Sequence, residues 1–152
     1  MQISAKADYA MRALLVLAAA PVEQSVKGQT IAETQGMPVK FVENTLGDLK
    51  RSGLVQSQRG SSGGYRLGRP AHLITVADVV RAVDGPLAEV RGRRPETITY
   101  EGAAQNLQQV WIAARASLRA VLEHVTLAQI VEGNLPTAIS EVVDTPDAWK
   151  VH

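Results

Sequence analysis

The chain has 152 residues, which suits one domain or one small domain plus an extension; 45% are hydrophobic, enough for a core, and its formal net charge is only +1. It contains no cysteine, which excludes a disulfide framework, thiolate metal ligation and a thiol switch. No run of about 18 apolar residues occurs, so no membrane helix is expected. Asp8 and Arg12 interrupt the apolar N-terminal stretch while helical periodicity continues through it, so it reads as a first core helix of a cytoplasmic protein.

That first helix is predicted from Ser4 to Ala20. Ala10, Ala13, Leu14 and Leu17 share one face, with Met11, Leu15 and Ala18 beside them. A helix this apolar is buried between other elements, and Pro21 ends it. A polar loop, Val22 to Lys27, follows. Thr30-Ile-Ala-Glu33 has the form of a capping box opening a short helix. Gly36 suits a left-handed helix end and Pro38 the first position of the next helix. The second helix, Pro38 to Ser52, carries Val39, Val42, Leu46 and Leu49 as one apolar stripe. Gly53 stops it, and Leu54 folds back on its last turn. Two helices joined by a tight turn form a helix-turn-helix pattern. Leu54 to Arg59 and Tyr65 to Leu67 are short strands joined by the hairpin tip Gly60-Ser-Ser-Gly-Gly64. A helix-turn-helix followed by such a hairpin reads as a winged helix. Residues 36–70 hold Lys40, Lys50, Arg51, Arg59, Arg66 and Arg69 against Glu43 and Asp48; six cations against two acids leave a local +4. Charge gathered on such a motif points to duplex DNA.

Gly68-Arg-Pro-Ala71 is a connector. Thr75-Val-Ala-Asp78 is a second capping signature, opening a helix to about Val83 that Asp84-Gly85-Pro86 stops. Ala88 to Tyr100 lacks periodicity and reads as a surface loop carrying Arg91, Arg93 and Arg94. They fit a solvated loop better than a site for an anionic effector or DNA backbone. A long helix is expected from Glu101 to Val125, ~35 Å long at the α-helical rise. Leu107, Trp111, Ala114, Leu118, Val121 and Val125 alternate spacings of four and three, a heptad seam that fits a second copy of the chain. Thr126 caps a short helix, Leu127 to Glu132, ended by Gly133, and the tail from Asn134 is expected to be loosely held. The expected fold is thus mainly α with a small β-hairpin. Residues 1–86 form a winged helix-turn-helix DNA-binding domain, 87–100 a loop, 101–133 the dimerisation helix with the short helix after it, and 134–152 a flexible tail.

These stretches resemble the bacterial IscR/NsrR/CymR-type regulators, the Rrf-type winged-helix transcription factors. The resemblance rests on Ser4 to Leu14, Ile31-Ala-Glu33, Pro38 to Leu49, the wing Gly60 to Tyr65, Ile74 to Val83, and the long helix closing at Thr126-Leu127. It covers about residues 1 to 132. It implies homodimers on palindromic operators, with the helix from Pro38 in the major groove, the wing at the minor groove and the helix from Glu101 paired across the dimer. Many members of the family carry an iron–sulfur cluster on three cysteines between the fourth helix and the dimerisation helix. Here Leu87 to Leu107 has none, so the resemblance points to a cluster-free branch whose members answer to a small-molecule effector, a partner protein such as an enzyme, or a redox cue. Asp8 lies where some cluster-binding relatives place a carboxylate ligand; without cysteine partners it reads as an acid favouring the start of its helix.

The candidate DNA contacts are Thr30, Pro38, Lys40, Phe41, Glu43, Asn44, Lys50, Arg51, Arg59, Gly60, Ser61, Ser62, Gly63, Gly64, Tyr65 and Arg66. Lys40, Glu43, Asn44 and Gly47 lie opposite the apolar stripe, where Glu43 suits a cytosine amino group, Asn44 an adenine and Lys40 a guanine or a phosphate. Phe41, at the edge of the stripe, fits packing better than a base contact. The wing is no nucleotide loop, since no Lys-Ser/Thr and no helix follow it. His72, His124 and His152 are dispersed, and no catalytic constellation stands out, so no metal, no cofactor and no enzyme activity are expected. The leading reading is a homodimeric, sequence-specific transcriptional regulator, a repressor; the runner-up is a winged-helix interaction module that has lost DNA binding.

Overall fold

The computed structural model describes residues 2–151. Helix α1 (Ala5–Ala19) is the central element: α2, α3, α4, α6 and the second strand all pack against it. Its inward face is small, with Ala7, Ala10, Ala13, Leu14 and Leu17 buried, and small side chains let several helices approach one axis. Ser4 caps α1, its hydroxyl oxygen accepting from the Ala7 N–H at 2.9 Å while the hydroxyl faces the Asp84 carboxylate at 2.6 and 2.7 Å. The start of α1 is thereby tied to the end of α4 (Val76–Asp84).

Helices α2 (Gly28–Gln35) and α3 (Val39–Arg51) meet at Gly36, which adopts the left-handed conformation foreseen for it. The Thr30 capping box does not form. Helix α2 starts two residues before Thr30, Lys27 stands at its cap position with no side-chain bond, and Glu33 accepts instead from the Gln29 side chain at 2.8 Å. The cause lies upstream: Val26 and Tyr65 exchange backbone hydrogen bonds at 2.8 and 2.7 Å, so a residue read as loop joins the wing as an added rung and delivers the chain into α2 early. Pro38 is the cap residue of α3 rather than its first helical residue, because its ψ of 124° is extended. Val39 is 40% exposed and leaves the stripe; Thr45 joins Val42, Leu46 and Leu49 in the buried face, its hydroxyl donating to the Phe41 carbonyl at 2.9 Å.

Strands β1 (Val55–Gln58) and β2 (Gly64–Leu67) pair antiparallel with Val55 opposite Leu67 and Gln58 opposite Gly64. The Leu54 N–H donates to the Leu49 carbonyl at 2.9 Å, folding the chain back on α3 as expected. Helix α4 opens with the full Thr75–Asp78 capping box. The region expected to be one helix from Glu101 to Val125 divides. Gly102, at φ +59°, starts a 3-10 turn, and α5 spans only Leu107–Leu122, ~24 Å at the α-helical rise. An α-helix cannot pass through a left-handed residue. At the other end, Val125 and Leu127 pair with the strand-like segment before α4: the Val76 N–H donates to the Val125 carbonyl at 2.9 Å and the Leu127 N–H to the Ile74 carbonyl at 3.0 Å. Val125 is therefore buried in its own chain and drops out of the seam. Thr126 caps α6 (Leu127–Glu132) with a capping box through Gln129, and α6 returns to α1. The tail from Asn134, expected to be loosely held, forms α7 (Thr137–Val143) and a 3-10 turn, Pro146–Trp149, that pack on each other.

The core joins Leu14, Ile31, Leu46, Leu49, Val55, Ile74, Val79 and Leu127, all fully buried or nearly so. Each such side chain contributes about 1.5–3 kcal/mol by leaving water. The wing is locked to this core at Gly68, where a Cβ would overlap the Gly53 carbonyl oxygen, whereas a Cβ at Gly60 meets nothing within 4 Å. Gly68→Ala is expected to lose about 1–3 kcal/mol in chemical denaturation, the range of an overpacked site. Gly60→Ala, at φ +103°, should cost only the strain of its backbone.

Candidate nucleic-acid interface

The exposed side of the molecule built by α3 and the wing gathers most of the residues singled out above. Lys40, Phe41, Glu43, Asn44, Lys50 and Arg51 on α3 are exposed, and so are Thr30 on α2 and Arg59, Gly60, Ser61 and Ser62 on the wing. Pro38 is exposed at the head of α3. The amphipathic stripe dictates this: burying Val42, Thr45, Leu46 and Leu49 turns positions 40, 43, 44 and 47 outward.

Three predicted positions serve the wing's own structure. Gly63 is buried against the carbonyls of Gln58 and Gly60. Gly64 lies so close to the Val26 backbone that a Cβ has no room, and Tyr65 makes the Val26 bridge while its ring approaches Gly28. Phe41 does pack, its ring meeting Tyr9 edge-on with centroids 5.1 Å apart, yet it stays 41% exposed. Arg12, over the Tyr9 ring at 5.7 Å, donates to the Gln35 carbonyl and holds the end of α2 to α1.

The charges separate into paired and unpaired. Asp48 is bracketed by Lys6 from α1 and Arg51 from its own helix, and Arg69 lies 3.6 Å from Asp78. Lys40, Lys50, Arg59 and Arg66 have no ion-pair partner among the described residues, and neither has Glu43. Lys40, Lys50 and Arg59 are thus exposed cations without an ion pair on this side, while half-buried Arg66 lines a groove with the end of α1 and with α6. Lys27 belongs with them and was not read from the sequence: it is exposed at the head of α2, in a groove of about 440 Å³ shared with Thr30, Ser61, Ser62 and the acid Glu23. Its charge was visible, but only the Val26–Tyr65 bridge brings it beside the wing tip.

A family model described as "Rrf2: Iron-dependent Transcriptional regulator" matches residues 3–133. The chain is 44% identical over 144 residues to a Mycobacterium tuberculosis protein named as an HTH-type transcriptional regulator, covering 95% of this chain and 89% of that one. It is 32% identical over 130 residues to the HTH-type transcriptional regulator CymR of Bacillus subtilis, covering 86% and 89%. The structure of CymR, the global cysteine regulator of B. subtilis, superposes with a TM-score of 0.75 at 30% identity, covering 88% of this chain and 98% of that one. The T. potens IscR structure does so with a TM-score of 0.71 at 27% identity, covering 100% and 93%. The iron of the family description finds no donor set here. The chain has no cysteine, and among the described residues no three His, Asp or Glu side chains gather to hold a metal ion.

Arg59 stands at the base of the wing tip with its guanidinium free. Arg59→Ala is expected to weaken binding to duplex DNA of any sequence and to lower the slope of log affinity against log salt by about one unit per lost phosphate contact. A salt titration of the two proteins checks this, and an unchanged slope would remove the wing from the contact surface.

Proposed function

The chain belongs to the Rrf2 family of helix-turn-helix transcriptional regulators, and from that premise we propose that it acts in the cytoplasm as a homodimeric repressor of a palindromic operator, without an iron–sulfur cluster. The observation that carries the reading is the side formed by α3 and the wing, where exposed Lys40, Lys50 and Arg59 lack acid partners among the described residues. Uncompensated cations exposed on a helix-and-hairpin surface suit the phosphates of a duplex. The exposed start of α3 enters the major groove, where Lys40, Glu43 and Asn44 meet base edges, and the wing follows the flanking backbone.

The dimer is built by α5. None of its residues is buried, and Val110, Trp111 and Val121 are 56%, 37% and 39% exposed. With half-buried Leu107, Ala114 and Leu118 they make an apolar face that a second copy covers. Two-fold symmetry then presents two copies of α3 to two half-sites, and operator palindromy mirrors it. A dimer seated on promoter DNA excludes polymerase, which is the repressor's action.

Two outcomes follow. Trp111→Glu places a charge in the proposed seam without touching the core; sedimentation should find a folded monomer, and operator affinity should fall ~100-fold as the two half-sites lose their linkage. A variant that stays dimeric would place the interface elsewhere. Glu43 is exposed on the outward face of α3 with no ion-pair partner among the described residues, repelled by phosphate and favoured where a cytosine amino group meets it. Glu43→Ala should relax discrimination at one cytosine per half-site by ~1–3 kcal/mol and leave non-specific affinity level or higher. Binding to operators changed one base pair at a time, at fixed salt, tests this; uniform weakening would make Glu43 structural, consistent with its stem lying beside Gly28.

A further inference from the structure

A second cationic surface lies away from α3 and the wing. Between α4, the loop that follows it and α5 is a groove of about 410 Å³, lined among others by Arg81, Arg94, Arg115, Arg119, Glu89 and Glu96. Its size falls in the range of small-molecule sites, roughly 300–1,000 Å³. The loop, unperiodic in sequence, is built. Leu87, Pro95 and Ile98 anchor it in the interior, and Val90 and Arg93 exchange backbone hydrogen bonds at 2.9 and 3.1 Å around a turn with Arg91 at φ +52° and Gly92 at φ +70°. Ala88 also has a φ of +52°. Non-glycine residues rarely adopt this backbone, and such strain concentrates at ligand sites.

The arginines are only partly satisfied. Arg115, whose side chain is 18% exposed, pairs with Glu96 at 2.6 Å. Arg81 and Arg119 share Glu123, whose carboxyl is pulled down to about 2 by hydrogen bonds from Arg119 first and then Arg81. Glu96 is likewise held below the ordinary carboxylate range, by a backbone hydrogen bond first and by Arg115 second. Arg94 has no ion-pair partner among the described residues. Arg81, Arg94, Arg115 and Arg119 thus stand against Glu89, Glu96 and Glu123, and Arg94, without an ion pair, lines the same groove as the more enclosed Arg115 and helps hold Glu96 deprotonated. Glu96 holds the 3-10 turn Pro95–Thr97 against α5 through Arg115.

We propose that this groove binds a small dianion, a dicarboxylate or a phosphate ester, which takes Arg94 and Arg115 in the forked geometry of guanidinium–oxyanion pairs. By displacing Glu96 it resets how α5 sits against the winged-helix core. The consequence for operator binding rests on the function proposed above, but the site itself is tested without DNA, so failure of either leaves the other standing.

The experiment is calorimetric titration of the full-length, DNA-free protein with succinate, inorganic phosphate and pyrophosphate at constant ionic strength. Saturation at one site per chain is expected, and the preferred anion separates a dicarboxylate from a phosphate ligand. Arg94→Ala should weaken binding about tenfold or more, the loss of one good charge-assisted contact. Glu96→Gln should tighten it, a gain that a misfolded variant cannot produce. Arg59→Ala should leave it unchanged, showing that the anion does not sit on the wing. In a Trp149→Phe background, Trp111 fluorescence reports α5 and should change on binding. Absence of saturation by all three anions, indifference to both Arg94→Ala and Glu96→Gln, or loss of binding in Arg59→Ala would overturn the site. An unmoved Trp111 signal would overturn its link to α5.

Discussion

Everything in this molecule depends on α1 burying a narrow, alanine-rich face. Ala7, Ala10 and Ala13 leave room for neighbours to close on the helix axis, and Leu14 and Leu17 fill the space between them. Helices α2, α3, α4 and α6 and strand β2 take their positions from that contact. The exposed side of α3 is therefore set from behind: Val42, Leu46 and Leu49 must reach α1, so Lys40, Glu43 and Asn44 must face away from it. Polar ties fix the angles that apolar contact leaves free. Ser4 to Asp84, Arg12 to Gln35 and Lys6 to Asp48 each join α1 to a different helix.

Period and local chemistry were legible in the sequence wherever a signal and its partner lie a few residues apart. The stripe of α3, its stop, the hairpin, and the capping boxes of α4 and α6 are all of this kind. What was not legible came from pairings distant in sequence. Val26 meets Tyr65, and so α2 begins before its apparent cap at Thr30. Thr75 meets Thr126, and so the chain after α5 turns inward where the heptad spacing continues. The seam from Leu107 to Val125 is a correct observation about spacing, but spacing does not report that Val125 is claimed by the segment before α4. Gly102 was a local sign of the broken helix, and only its φ shows that it breaks there.

The candidate site was legible to a similar depth. Its residue types and their order can be read, because an amphipathic helix turns its polar positions outward as a set. Which charges remain free cannot be read from composition. Asp48 neutralises Arg51 with help from Lys6 on another helix, while Lys27 joins the surface through a strand pairing. The local +4 counted along the sequence includes Arg51 and Arg69, which the structure pairs with Asp48 and Asp78, and leaves out Lys27, which the Val26–Tyr65 pairing brings beside the wing.

A chain of net charge +1 with two cationic surfaces must place its acids with care, and the structure shows two ways of doing so. On the α3 side, Asp48 is held back toward α1, which leaves Lys40, Lys50 and Arg59 without an ion pair among the described residues. Around the α4–α5 groove, Glu96 and Glu123 sit among the arginines and carry mechanical load, since each pair joins elements on opposite sides of the groove. The first arrangement suits a long polyanion approaching from solvent, where screening favours many weak contacts over one strong one. The second suits a compact anion that must compete with a resident carboxylate, which makes binding and rearrangement one event. Helix α4 stands between them: it packs on α1 and α3, and its Arg81 reaches Glu123 at the end of α5. Any change in how α5 is held is thus felt by the element that also supports α3, and by linkage the coupling runs equally in both directions.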